Sequence, residues 1–372
     1  MKLSFGGLIP KLPIIQGGMG VGVSLSGLAS AVAQEGGVGV ISAAGLGMLY
    51  PKRHLTYNEA SIDGLKAEIL KARAKTKGII GVNIMVAMTN FAEMVRTSIE
   101  SGADIIFSGA GLPLDLPSYL KADSTTKLVP IVSSARAARV LCQKWYNGYN
   151  YLPDAIVVEG PKAGGHLGYS EVQINDEHYS LEQILPQVVE VAREFGEKYN
   201  REIPVIAAGG IYTGDDIFRM MELGASGVQL GTLFVTTTEC DASEAFKQKY
   251  IDSHSEDIEI IKSPVGMPGR AIFSKFIEDV RNGVKRPKHC PYHCIKTCDI
   301  SKSPYCIMLA LFSAFKGNFN KGYAFAGVNA FRAERISTVK ETISALMVDY
   351  KAKLIEKAER LKLLALSEKA LM

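Results

Sequence analysis

Disulfide scaffolds, membrane spans and large single-sign charge are all missing from this chain. Six cysteines in 372 residues are too few to staple a fold, and four of them fall between positions 290 and 306. Such clustering points to thiols or a metal in a reducing compartment rather than to bridges. No apolar run approaches the ~20 residues that a bilayer span needs. The opening Met1-Lys2-Leu3-Ser4 leads straight into strand-like sequence, without the apolar core of a secretory signal. A cytoplasmic protein that does not enter the membrane is therefore expected. With 42 basic against 38 acidic residues, the net charge of +4 gives no electrostatic reason to expect nucleic acid as a partner. Apolar residues are plentiful: 47% hydrophobic against 22% charged is ordinary for a soluble chain with a large core.

Short β-branched runs alternate with helical stretches, the pattern of a parallel sheet built from βαβ units. Strands are expected at 13–16, 38–42, 79–85, 104–108, 128–133, 155–158, 204–208 and 227–230. Most are continuous apolar runs, as strands covered on both faces should be. Helices are expected at 24–34 (opened by serines that can cap it), 58–74, 90–100, 135–145, 181–199, 214–223 and 239–250. Eight alternations in about 250 residues match a closed α/β barrel, the (β/α)8 or TIM barrel. A doubly wound open sheet would more often carry its glycine fingerprint after the first strand alone. Three units are expected: a barrel over 1–251, an inserted lid-like segment over 252–335, and a C-terminal helical segment over 336–372. The segment 261–329 is rich in Pro, Gly, Cys and aromatics and has no long periodic stretch. The tail places Leu346, Leu354, Leu361 and Leu364 on a rough apolar stripe. It could pack on its own chain or dock on a partner in a homodimer.

Glycine motifs late in the barrel order carry the clearest chemistry. Ala208-Gly209-Gly210-Ile211 ends the seventh strand, and Val228-Gln229-Leu230-Gly231-Thr232 ends the eighth. Barrels frequently bind a phosphate with these two loops, where backbone N–H groups meet the anion. A side chain there would block the approach of backbone to phosphate, and Thr232 adds a hydroxyl donor. Glu159-Gly160-Pro161-Lys162-Ala163-Gly164-Gly165-His166 follows the sixth strand, which puts His166 on the C-terminal face, where barrel active sites sit. Gly164 and Gly165 let backbone pass close to a flat cofactor, and an imidazole can move a proton near neutral pH. Gly17-Gly18-Met19 places a loop at the mouth after the first strand, and Asn83 ends the third. Tight turns and strand-end caps are the plain alternatives for each.

Taken together, IIQGGMG, GVNIMV, EGPKAGGHLG, PVIAAGGI and VQLGTLF resemble the nitronate monooxygenase (2-nitropropane dioxygenase) family. The flavin-dependent enoyl-ACP reductases share that superfamily. The likeness runs from about Pro13 to Arg270. It implies an FMN-containing barrel with His166 beside the flavin and the phosphate on Gly209, Gly210 and Gly231 next to Thr232. It also implies cofactor positions at Asn83 and Glu159. The activity implied is oxidation of an alkyl nitronate, the reduced flavin then reacting with oxygen. Glu159 stands where nitronate monooxygenases commonly have Gln and the reductases commonly have Glu, so a NAD(P)H-dependent reduction of an enoyl thioester is the alternative. A flavin-free barrel acting on a sugar phosphate is a further one. Cys290, Cys294, Cys298 and Cys306 lie outside the family pattern. Their C-x3-C-x3-C-x7-C spacing matches no zinc or iron–sulfur template. On a helix the first three would share a face; as buried small hydrophobes they need not. No metal ligand is assigned.

Overall fold

The computed structural model describes residues 3–287 and 289–370. Its centre is a closed barrel of eight parallel strands. In chain order the strands are β1 (Ile14–Gln16), β2 (Val38–Ser42), β3 (Ile79–Met85), β4 (Ile105–Gly109), β5 (Lys127–Val132), β6 (Ile156–Glu159), β7 (Gly165–His166), β8 (Val205–Ala208) and β9 (Gly227–Leu230). β10 (Ile258–Lys262) and β11 (Pro268–Ile272) follow. The barrel runs β1-β2-β3-β4-β5-β6-β8-β9 and closes where Ile14, Ile15 and Gln16 pair with Val228, Gln229 and Leu230. β7 stands outside it, in a three-stranded sheet of order β10-β11-β7. The expected (β/α)8 barrel is thus the observed one, and each expected barrel strand lies within a residue of its place.

The strands are apolar throughout because both faces are covered: β2, β4 and β8 are buried at every residue. Inside the barrel Ile15, Val40, Phe107, Val157 and Ile206 pack together, and Phe5 sets its ring edge-on to Phe107 at the lower end. Outside, the helices lay their apolar faces on the strands. Helix Val339–Ala370 docks its first part on helix Gly214–Glu222, where the Asp215 amide donates to Asp349 at 3.1 Å. Leu346 of the stripe is buried there, whereas Leu354 and Leu361 are exposed. Among the described residues no helix is long and apolar enough to cross a membrane.

Four local expectations are corrected. The helix expected at 239–250 starts only at Glu244, because Ser243 caps it by accepting from the Phe246 amide. The helix expected from 24 starts at Ser26 and is not capped by its serines. Asp241, more than 200 residues on, instead accepts from the amides of Leu25, Gly27 and Leu28 at 2.8, 3.0 and 3.1 Å. Within 261–329, helix Ile307–Phe315 escapes periodicity because nearly every residue in it is apolar. The cysteines share no helix face: residues 290–298 are irregular, His293 takes a left-handed backbone (φ 45°), and Ile295 pairs with Met88 as an isolated bridge. Among the described residues no three His, Cys, Asp or Glu side chains form a metal-holding group.

Asp241→Ala should leave three amides of one helix end without an acceptor, at a cost of about 1–3 kcal/mol. Urea unfolding measures the loss, and Asp241→Asn, which keeps one oxygen, should lose less. An alanine variant as stable as the parent would show that the cap is dispensable.

Candidate active site

The carboxyl ends of the barrel strands open into a cavity of about 250 Å³. Every residue singled out from the motifs lines it. From the β1 loop come Gly17, Gly18 and Met19, from β3 Asn83, and from β6 and the loop after it Glu159, Gly164, Gly165 and His166. The late strands contribute Gly209, Gly210, Gln229, Leu230, Gly231 and Thr232. Barrel closure is what makes neighbours of the first and last groups. The β1 loop is held by Ser24, whose hydroxyl accepts from the Met19 amide at 2.8 Å.

Gly209 and Gly210 both take left-handed backbones, at φ 95° and 86°, a turn that costs glycine no Cβ clash. Thr232 Oγ1 accepts from the Gly327 amide at 3.0 Å, which leaves its own proton to donate. The helix N-termini that follow these two loops contribute less. In helix Gly214–Glu222 the first-turn amides of Asp215 and Asp216 are taken by Asp349 and Thr213, each at 3.1 Å, and Asp216 itself accepts from the Tyr212 and Thr213 amides at 3.0 and 2.9 Å. The helix after β9 is a single turn, Thr232–Val235. An anion here depends chiefly on glycine backbone and the Thr232 hydroxyl.

His166 sits on β7, where it pairs with Gly269 of β11. Its Nε2 hydrogen-bonds Ser263 Oγ at 2.7 Å, and its ring stands edge-on to Phe325 with centroids 4.9 Å apart. Burial among these groups pulls the imidazole down to about 4, below the neutral range that the sequence suggests. At pH 7 the ring is uncharged, a hydrogen-bonding group with one donor and one acceptor nitrogen. Among the described residues Glu159 is the one carboxylate that lines the cavity, and no Lys or Arg lines it. Burial pushes its carboxyl up to about 7. Arg270, itself buried, fixes the intervening loop by donating to the carbonyls of Pro161 and Ala163, the latter at 2.9 Å.

Ser263, Arg270 and the strip 323–329 were not singled out from sequence. The strip lies along β11, with Ala326 donating to Arg270 at 3.1 Å and Val328 to Lys162 at 3.2 Å. Asn329 Nδ2 reaches Gly210 O at 2.8 Å. A Cβ on Gly164 would lie 2.5 Å from the Ala326–Gly327 backbone, so only glycine lets the strip cross there. The Gly322-to-Asn329 stretch, with its two glycines and its amide, is the one sequence signal that could have flagged it.

Folding raises the Glu159 pKa, so the fold favours its protonated form. That contribution is complete below pH 4.5 and is lost as pH rises toward about 7. Glu159→Gln should therefore be more stable than the parent at pH 8, by on the order of 1–3 kcal/mol once water in the open cavity is allowed for. Near pH 4.5 the two should agree. Denaturant unfolding at both pH values checks this, and equal stability at pH 8 would contradict a buried carboxyl.

A probable nitronate monooxygenase of Staphylococcus aureus is 29% identical over 294 residues, covering 73% of this chain and 78% of that protein. From Mycobacterium tuberculosis, the (3aS,4S,5R,7aS)-5-hydroxy-7a-methyl-1-oxo-octahydro-1H-indene-4-carboxyl-CoA dehydrogenase is 27% identical over 271 residues, 73% of this chain. The match spans 66% of that relative's own length. Among solved structures, FabK from Thermotoga maritima superposes with a TM-score of 0.71 at 26% identity, over 95% of this chain and 96% of that one. The nitroalkane oxidase of Streptomyces ansochromogenes reaches 0.70 at 22% identity, over 92% and 96%, a likeness of fold. The nitronate monooxygenase family model matches residues 5–349, nearly the whole barrel and its cover, and the chain belongs to that family.

Proposed function

We propose that the chain is an FMN-dependent oxidoreductase that oxidises alkyl nitronates with oxygen. The observation that carries this reading is the convergence, in one cavity, of the two late glycine loops with His166, Glu159, Asn83 and Gln229. The residues fit the cofactor. Gly209, Gly210, Gly231 and Thr232 would hold its phosphate, and the Asn83 and Gln229 amides its polar ring edge. Gly17, Gly18, Met19, Leu230, Gly164 and Gly165 would line its ring, the glycines leaving room for it. When bound, FMN supplies a two-electron acceptor that oxygen can reoxidise.

His166, uncharged and braced by Ser263, orients the planar anionic head of the substrate by a hydrogen bond. Glu159, protonated up to about neutral pH, spares that anion a like charge across the cavity. The cover strip 323–329 and β11 bury both groups, and the lower polarity there strengthens each hydrogen bond within. Glu159 also favours a second reading, reduction of an enoyl thioester with NAD(P)H as electron donor. The mycobacterial relative, by name a dehydrogenase of a carboxyl-CoA thioester, supports thioesters as well.

Heat-released cofactor should have the mass of FMN, and FAD would contradict the single phosphate cradle. Under anaerobic conditions an alkyl nitronate alone should bleach the flavin. Bleaching by NADH or NADPH, followed by reoxidation with an enoyl thioester, would establish the second reading instead. His166→Ala should keep its flavin and turn over ~10²–10⁴-fold more slowly, the span usual for a positioned acid–base or hydrogen-bonding group. A flavin-loaded variant near the parent rate would remove His166 from the mechanism.

A further inference from the structure

Behind His166 lies a second, smaller chamber of about 40 Å³, which shares Val21, Ala44, Met85, His166 and Leu311 with the main cavity. Its remaining wall is made by Gly45, Tyr57 and Met88, and by the cover residues Val265, Cys294, Ile295, Ile307 and Met308. Among the described residues no Lys, Arg, Asp or Glu lines it. The Tyr57 hydroxyl is turned to the Met308 sulfur, 3.9 Å away. Cys294 is buried, and burial raises its thiol to about 12, so it presents a neutral apolar surface.

The wall is pinned to the barrel rather than laid loosely over it. Thr89 donates to the Cys294 carbonyl at 3.2 Å, Lys296 to Ala87 at 2.9 Å, and the Thr89 hydroxyl to the His293 carbonyl at 2.6 Å. The segment that carries the cysteine motif is thereby an added edge along the loop after β3. A chamber of this size holds roughly three water-sized groups at ~10–15 Å³ each, and an apolar one stays dry. An empty dry space beside a polar site rewards an apolar ligand group that fills it.

We infer that this chamber is the subsite for the straight aliphatic tail of the substrate, with the cysteine-bearing segment as its outer wall. The inference rests on the nitronate reading for the head group: the planar anion sits by His166 and the tail runs past the ring into the chamber. Preferred substrates are then unbranched, uncharged along the tail, and a few carbons long beyond the reacting carbon.

Two measurements on the purified, flavin-containing protein separate the subsite from the reaction. Calorimetric titration with straight-chain carboxylates from acetate to decanoate reads binding without turnover. Affinity should rise about fourfold per methylene until the chamber is full and then stop rising. Turnover of primary nitroalkane anions over the same lengths should peak at the corresponding chain. Ile295→Phe fills the chamber and should shorten the optimum by at least one carbon. Met308→Ala enlarges it and should lengthen the optimum by at least one. Opposite shifts cannot come from general destabilisation, and either variant suffices if the other does not fold. An optimum unmoved in a folded variant, or carboxylate affinity independent of length, overturns the subsite; a chamber that serves only oxygen would give that result. A carboxylate plateau that moves to shorter chains in Ile295→Phe or to longer ones in Met308→Ala, with no nitronate of any length oxidised, would uphold the subsite and reject the nitronate reading.

Discussion

The ladder between Ile14–Gln16 and Gly227–Leu230 joins segments more than 200 residues apart in sequence, and the mouth of the barrel exists only because this ladder closes. Three residue pairs carry it. Their pairing sets Gly17 against the Gln229 side chain and puts the first glycine loop beside the last. Asn83, two strands away, and Glu159, further round, then face the same space because parallel strands all end on one side. An open sheet from the same strands would leave the first and last loops at opposite edges.

On that rim, a second contact determines the electrostatics. β7 and β11 pair over two residues, Gly165 with Arg270 and Gly269 with His166, and this draws the 258–329 segment over the cavity. Arg270 then anchors the glycine loop from below its carbonyls while the 323–329 strip crosses above. The low polarity so created acts on His166 and Glu159 in opposite senses. It disfavours the charged form of each, lowering the imidazole and raising the carboxyl. One cover thus prepares two uncharged hydrogen-bonding groups near neutral pH.

The barrel itself was legible because its signal is local. An apolar run of five buried residues such as Val38–Ser42 is a covered strand wherever it falls, and glycines that follow it are a turn at the rim. The mouth residues were legible for the same reason, since each stands at a strand end that the sequence already marks. The start of the first helix was not: its cap is Asp241, supplied from the far end of the barrel, and no pattern near Ser26 announces it. Helix Ile307–Phe315 hid in uniform apolarity, which has no period to read. The even spacing of Cys290, Cys294 and Cys298 suggested a helix face, but the segment instead spends its hydrogen bonds on the loop after β3.

The sequence by itself determined the strand order, the glycine-bearing rim and the identity of the groups that meet there, because these depend on side-chain type and on the parallel direction of the strands. Tertiary structure alone decided what those groups are in chemical terms. Ser263 and Phe325, 97 and 159 residues from His166 in the chain, meet its ring only after β11 has paired with β7. The same pairing makes the apolar chamber between the rim and the cover. A pKa and a cavity are properties of what surrounds a residue, and here the surroundings come from segments that only folding brings into reach.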